Sequence, residues 1–365
     1  MESVFPEIQK RFGFGFMRLP MVDGQVDIPQ TMKMVDAYLA AGFNYFDTAH
    51  GYLDGQSEKA LKTCLTSRYP RERYLLTNKL SNNFFEKQED IRPLFCQQLA
   101  ACGVDYFDFY LMHAQNGERF EKYKSCLAYE TVLELKAEGK VRHLGISFHD
   151  SPQVLDKILS EYPQIEAVQL QFNYLDYDDP KVQSFGCYEV CQKHGKPVFV
   201  MEPVKGGALV NLPPQAQRIF DGLGGGSNAS YAIRYAAGFP GIRTVLSGMS
   251  TLSQVEENVA FMRDFRPLSE AEQAAVTRVR GILRGQDLIP CTGCRYCTEV
   301  CPMEIPVPDL FACLNDKRRT GRADISRIGG GRPESCLGCG KCEEACPQGL
   351  NIRELVQSAR EELGL

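Results

Sequence analysis

The chain has 365 residues and a formal net charge of −5, enough for one large domain plus a small one. No basic excess points to nucleic acid or an anionic membrane, and no apolar run is long enough to cross a bilayer. Met1-Glu-Ser-Val-Phe-Pro6 lacks the charged and apolar regions of a secretory leader, and 15 cysteines at this length fit reduced thiols in a cytoplasm better than a disulfide scaffold.

Eight short apolar segments alternate with amphipathic ones up to residue 284. The strand candidates are Phe12–Met17, Phe43–Asp47, Arg73–Lys79, Phe107–His113, Val141–Ser147, Ala167–Asn173, Pro197–Pro203 and Arg243–Gly248. Tyr129–Gly139 shows the intervening pattern, with Val132, Leu133 and Leu135 apolar and Gly139 as terminator. Gly224–Gly226 reads as a loop before a helix at Tyr231–Ala237, and Ser269–Arg284 as the last helix, with Ser269 and Glu272 at capping-box spacing. Eight strand–helix units in roughly 250 residues have the rhythm of an α/β TIM (β/α)8 barrel. The rival doubly wound sheet lacks its Gly-x-Gly-x-x-Gly turn, since Phe12-Gly-Phe-Gly-Phe-Met17 has no third glycine. Residues 1–284 are therefore expected to form a barrel, and 285–365 a small α+β domain. The latter is expected to carry helices at Pro308–Arg318 and Ile352–Leu363.

In such a barrel, chemistry sits at the C-terminal strand ends. The second, third and fourth strands end near Asp47, Lys79 and His113, and Tyr52 follows Asp47 in its loop. Together they can protonate a carbonyl oxygen. A free phenol is a weak donor at neutral pH. A neighbouring ammonium stabilises its phenolate, a carboxylate holds the ammonium, and an imidazole polarises the carbonyl.

The last 80 or so residues hold two cysteine runs. One is Cys291-Thr-Gly-Cys294-Arg-Tyr-Cys297-Thr-Glu-Val-Cys301-Pro302; the other is Cys336-Leu-Gly-Cys339-Gly-Lys-Cys342-Glu-Glu-Ala-Cys346-Pro347. Both follow the C-x2-C-x2-C-x3-C-P pattern of [4Fe–4S] sites, in which the fourth cysteine serves the other cluster. Cluster I is thus assigned to Cys291, Cys294, Cys297 and Cys346, and cluster II to Cys336, Cys339, Cys342 and Cys301. Structural zinc favours paired C-x2-C spacing and fits poorly. This segment resembles a two-cluster bacterial ferredoxin with a long insert. The remaining cysteines, Cys187 and Cys191 among them, read as small buried hydrophobes.

The larger segment resembles the aldo-keto reductase family. The matches are Asp47-Thr-Ala-His-Gly-Tyr52 with Gly55-Gln-Ser-Glu58, Thr77-Asn-Lys79, Asp105 with Tyr110-Leu-Met-His113, and Gly139-Lys-Val-Arg-His-Leu-Gly-Ile-Ser147. The resemblance covers roughly 10–285, and the whole chain is similar to the subgroup bearing a C-terminal ferredoxin domain. It implies a catalytic tetrad of Tyr52, Lys79, Asp47 and His113. It implies that Ser147 and Gln169 hold the nicotinamide carboxamide and Met201 covers the ring. Gly248 would meet the pyrophosphate, and Gln254, Glu257 and Asn258 the adenosine end. Basic side chains for a 2′-phosphate are missing from Gly248–Gln254, so NAD and NADP both stay open. Lys205 is expected either at a phosphate or substrate or as a surface-loop lysine, and His50 beside the substrate. The chain has no tryptophan, so the aromatic pocket of sugar-reducing relatives cannot be built the same way.

The implied activity interconverts a small-molecule carbonyl and alcohol by hydride transfer, with two [4Fe–4S] clusters linking it to a redox protein partner. Nicotinamide moves two electrons and each cluster one, so communication between them needs a bridge, of which a flavin is the usual one, although no flavin motif is visible. The alternatives are an electron-transfer protein whose barrel is a docking scaffold, and a reductase whose clusters only brace the fold.

Overall fold

The computed structural model describes residues 4–365. Ten strands occur among them. β1 is Phe12–Gly15, β2 Met21–Val22, β3 Gln25–Val26, β4 Tyr45–Asp47, β5 Leu75–Leu80 and β6 Phe107–Gln115. β7 is Val141–Phe148, β8 Ala167–Gln171, β9 Val198–Met201 and β10 Ile242–Gly248. Eight close into a parallel barrel in the order β1-β10-β9-β8-β7-β6-β5-β4, as the alternation of the sequence predicts. β2 and β3 form a separate antiparallel hairpin, which no periodicity announced because each has two residues.

Parallel barrel strands are covered on both sides, so they read as continuous apolar runs. Every residue of β5 and of β8 is buried. Phe109, Leu111, Tyr45, Leu75, Ala167, Phe199 and Leu246 pack into one core cluster. Backbones approach closely at Gly145, where a Cβ would lie 2.6 Å from Leu111 Cδ2 and 2.9 Å from the Ala167 carbonyl. The Ile28–Ala40 helix starts where Asp27 accepts from the Gln30 amide at 3.0 Å. It buries Met34, Val35, Tyr38 and Leu39. The Tyr38 hydroxyl ties two strands, its single proton shared between the carbonyls of Phe12 and Tyr45 at 2.7 and 2.9 Å.

Some expected boundaries move. Phe16–Arg18 leaves β1 as a tight 3-10 turn, and Arg71–Arg73 forms another before β5. The Arg71 side chain explains the second turn. It donates to the Tyr74 carbonyl and to Asp108, holding the chain out of the sheet for two more residues.

The contacts sort the chain into two compact units. Among the described residues, one holds 4–178, 183–203 and 230–269; the other holds 179–182, 204–229 and 270–365. In the second, the Pro214–Asp221 helix packs on Glu270–Arg284, and Val307–Thr320 on Ile352–Leu363. Its core gathers Ile289, Ile305, Leu310, Phe311, Leu314, Ile352 and Val356, with Cys291, Cys301, Cys342 and Cys346 packed against it. The regular elements from residue 285 onward are helices and turns.

Candidate functional site

Six of the eight barrel strands carry a candidate side chain at or near the C-terminal end, because the parallel register aligns those ends. Gly15 stands opposite Asp47 and Gly248, Ser147 opposite Gln169, and Gln171 opposite Met201. Lys79 is fully buried. Its ammonium donates to Asp47 Oδ1 at 2.7 Å and to the Thr48 carbonyl at 2.8 Å. It lies 4.8 Å from the centre of the Tyr52 ring. The Tyr52 and His113 rings meet edge to face, 5.9 Å apart. The three residues singled out from strand ends and Tyr52 from the loop after β4 thus come together.

Burial holds the Lys79 ammonium below its ordinary pKa, and Asp47 works against that shift. Burial, and then the charges of Lys79, His149 and Arg119, hold His113 well below the usual histidine range. Ser81 Oγ fixes its Nδ1 at 2.6 Å. Sequence reasoning passed over Ser81, although it follows Lys79 by two positions and so shares that strand's facing.

Behind Lys79 lies a buried polar network that was also missed. Glu58 accepts from Asn78 Nδ2 at 2.7 Å and pairs with His50 Nδ1 at 2.8 Å. Asn78 in turn accepts from the Lys79 amide at 2.8 Å, and Gln98 donates to the Lys79 carbonyl at 2.9 Å. Only tertiary proximity shows that these groups hold the β5 backbone.

The residues expected around a nicotinamide occupy different surroundings. Gln169 donates to Asp47 Oδ2 at 3.1 Å, so it braces the carboxylate that holds Lys79. Ser147 Oγ accepts from the Ala114 amide at 3.3 Å, where β6 shifts register and Ala114 takes φ +50°. Met201 and Gly248 are half-buried at the ends of β9 and β10. Gln254 and Glu257 are exposed and Asn258 is buried, all on the Leu252–Arg263 helix. Gln254 Oε1 accepts from the Ser250 amide at 2.7 Å, closing that helix's first turn. Arg18, unassigned from sequence, pairs with Glu202 at 3.4 Å.

The C-terminal cysteines fall into two groups. Burial, and then the negative charges of Cys294, Cys291 and Cys346, push the Cys297 thiol up to about 12. Cys301, Cys336, Cys339 and Cys342 line one cleft together with Pro302, Leu337 and Ile352. No disulfide links the 15 cysteines, all of which lie among the described residues. Two sets of four soft donors, each drawn from both runs, suit [4Fe–4S] ligation. Cys336 and Cys339 are exposed, whereas Cys297 is buried. Of the other cysteines, Cys187 and Cys191 are buried as expected, but Cys96 is exposed.

Lys205 departs from the surface-loop expectation. It is only 3% exposed and donates to Gln348 Oε1 at 3.3 Å. The other histidines without an assigned role have structural partners. His143 bridges Glu166 and Glu7 at 2.9 and 2.8 Å, and His194 pairs with Asp156 at 2.6 Å.

Comparison with known proteins places these features. Residues 11–280 match the Aldo/keto reductase family, and residues 290–350 match the 4Fe-4S dicluster domain. The chain is 26% identical to the "NADH-specific methylglyoxal reductase" of Escherichia coli (strain K12), over 54% of this chain and 65% of that protein. It is 28% identical to the "L-galactose dehydrogenase" of Arabidopsis thaliana, over 74% of this chain and 89% of that protein. Among solved structures, an aldo/keto reductase from Klebsiella pneumoniae in complex with NADP and acetate superposes with TM-score 0.61. It has 21% identity over 74% of this chain and 91% of that one. The holo form of a Bacillus halodurans aldo-keto reductase gives TM-score 0.58 at 24% identity, over the same shares of each chain. A closed parallel barrel of this order, spanned almost end to end by the family's sequence pattern, means that the chain belongs to the aldo/keto reductase family and is an oxidoreductase extended by a 4Fe-4S dicluster domain.

Proposed function

We propose that the barrel interconverts a small carbonyl compound and its alcohol with NAD or NADP, using Tyr52 as general acid and base. The carrying observation is the buried Lys79 ammonium, held 2.7 Å from Asp47 and 4.8 Å from the Tyr52 ring centre. Bound reduced nicotinamide supplies the hydride. In the reducing direction, Tyr52 gives its hydroxyl proton to the carbonyl oxygen as negative charge grows there, and Lys79 stabilises the phenolate left behind. Asp47 keeps Lys79 protonated against its burial, and Gln169 keeps Asp47 in place. His113, held well below the usual histidine range, is neutral; in the tautomer in which Nδ1 accepts from Ser81, its proton sits on Nε2 and can hydrogen-bond the same oxygen. Oxidation of the alcohol reverses each proton step.

Ser147 and Gln169 are placed at the carboxamide, Met201 at the ring, Gly248 at the pyrophosphate, and Gln254, Glu257 and Asn258 at the adenosine end. The family resemblance supports this placement. The printed names of the Escherichia coli and Arabidopsis relatives support the small-molecule class. Cys291, Cys294, Cys297 and Cys346 hold one [4Fe–4S] cluster, and Cys301, Cys336, Cys339 and Cys342 the other. Such clusters supply single electrons, so exchange with a nicotinamide requires a one-or-two-electron carrier such as flavin. The exposure of Cys336, Cys339 and Leu337 supports a protein partner for that exchange.

The test begins with anaerobic purification, iron and sulfide analysis, and a flavin assay. NAD(P)H oxidation is then followed against a carbonyl panel. About eight irons per chain are expected, and about four would overturn the two-cluster assignment. Tyr52→Phe is expected to lower kcat by about 10²–10⁴-fold with nucleotide binding retained. Unchanged turnover would remove Tyr52 from its role.

A further inference from the structure

The chain leaves β9 at Met201 and runs through Glu202-Pro-Val-Lys205-Gly-Gly207. Glu202, Lys205, Gly206 and Gly207 all take positive φ, at 54°, 48°, 60° and 97°. Of these four, the two that bear side chains, Glu202 and Lys205, persist in the left-handed region only where surrounding contacts hold them. Two such contacts stand out, and both lead to cluster I. Lys205 reaches Gln348, which lies two positions past Cys346. Gly206 lies so close to Thr292, between Cys291 and Cys294, that a Cβ there would overlap the Thr292 carbonyl oxygen. Consecutive residues of one loop therefore touch both chain segments that carry the cysteines of cluster I. Thr292 and Gln348 are themselves buried.

We propose that Lys205 is a tuning residue that raises the reduction potential of cluster I and leaves cluster II largely unaffected. This rests on the cluster assignment above. Reduction adds one electron to a cluster and its thiolates; no bond breaks and no proton moves, so the site becomes one charge more negative. A cation fixed nearby at low dielectric favours the more negative state. Net charge and surroundings are among the determinants of cluster potential. A lysine held in water would be screened, but this one is excluded from it. Cluster II gathers Cys336 and Cys339 in the open, beside a Leu337 that is 67% exposed. The two sites are thus unequal. Beside one, a buried cation on the loop leaving β9 is bonded to Gln348, and the other faces solvent.

The experiment is an electron paramagnetic resonance redox titration of the anaerobic full-length holoprotein. Dithionite through mediators supplies the electrons, and the cluster I signal is assigned from its change in Cys294→Ser. Lys205→Gln is expected to weaken reduction of cluster I by roughly tenfold, a fall of about 59 mV for a one-electron couple, with cluster II unmoved. Lys205→Arg is expected to restore it. Gln348→Glu, which sets a carboxylate against the ammonium, is expected to lower the same potential and decides the matter if Lys205→Gln loses iron. Wild type below about eight irons would overturn the two-cluster reading itself. Eight irons with the cluster I potential unchanged in the variants, or with both potentials shifted equally, would overturn the role of Lys205 alone.

Discussion

Charge and burial at single residues set the chemistry at the mouth of the barrel. His113 is held far below the usual histidine range, so it stays neutral through the pH range where an ordinary imidazole titrates. The expected pH profile of kcat/KM has no limb near 6.5 from this residue; a limb there that His113→Gln abolishes would contradict the assignment. His149 is pushed down to about 4, mainly by burial and then by Arg119. Between pH 6.5 and about 4 the unfolded chain takes up a proton at this position that the folded chain refuses. Stability attached to His149 is thus present above 6.5 and lost as pH falls. The drop in unfolding free energy over that interval is expected to be shallower in His149→Asn than in wild type, as read by chemical denaturation. At Asp47, substitution by alanine leaves the fully buried Lys79 without its carboxylate. Removing one partner of a buried pair costs about 3–5 kcal/mol, so Asp47→Ala should lower stability as well as turnover. A thermal midpoint unchanged from wild type would show that Lys79 has lost its charge instead.

Among the elements, the barrel strands leave least room for change. Gly145 on β7 faces Leu111 Cδ2 and the Ala167 carbonyl. A methyl group there overpacks three neighbouring strands, at a cost of about 1–3 kcal/mol. Gly145→Ala is expected to show that loss in chemical denaturation without altered nucleotide affinity. Gly206→Ala should act elsewhere. Its methyl group would press on Thr292 in a conformation, φ +60°, that already disfavours alanine. Loss of iron from cluster I, with the barrel's thermal transition retained, is the expected result; full iron content would show that the Thr292 loop yields. The eight barrel strands were legible from apolar runs of strand length. The helices at Ile352–Leu363 and Glu270–Arg284 were legible from their periodicity. The hairpin of β2 and β3 was not, since two residues carry no period. Nor were the short turns before β5, which depend on Arg71 meeting Asp108, a residue distant in the chain.

For the whole molecule, two compact units carry unequal cores. The C-terminal core is small, and Cys291, Cys301, Cys342 and Cys346 pack against it, so the proposed cluster ligation would contribute to its folding directly. Iron chelation under anaerobic conditions is expected to abolish a separate unfolding transition of that unit while the barrel's far-ultraviolet signal persists. A single transition for the whole chain in both states would show the units to be one cooperative body. Contact grouping also draws residues 204–229 and 270–284 to the C-terminal unit, although the sequence pattern there reads as barrel. Order along the chain determined much of this protein by itself. Cysteine spacing marked two four-cysteine runs, because three of the four positions in each lie in one loop and their spacing is a local property. Strand rhythm marked the barrel, and strand ends marked Asp47, Lys79 and His113, because parallel register aligns them. Only the tertiary structure decided what those groups meet. It set Gln169 on Asp47, Ser81 on His113, Glu58 behind Lys79, and Lys205 against Gln348. These are contacts between residues far apart in sequence, and burial at them, rather than residue type, decides which charges a site can keep.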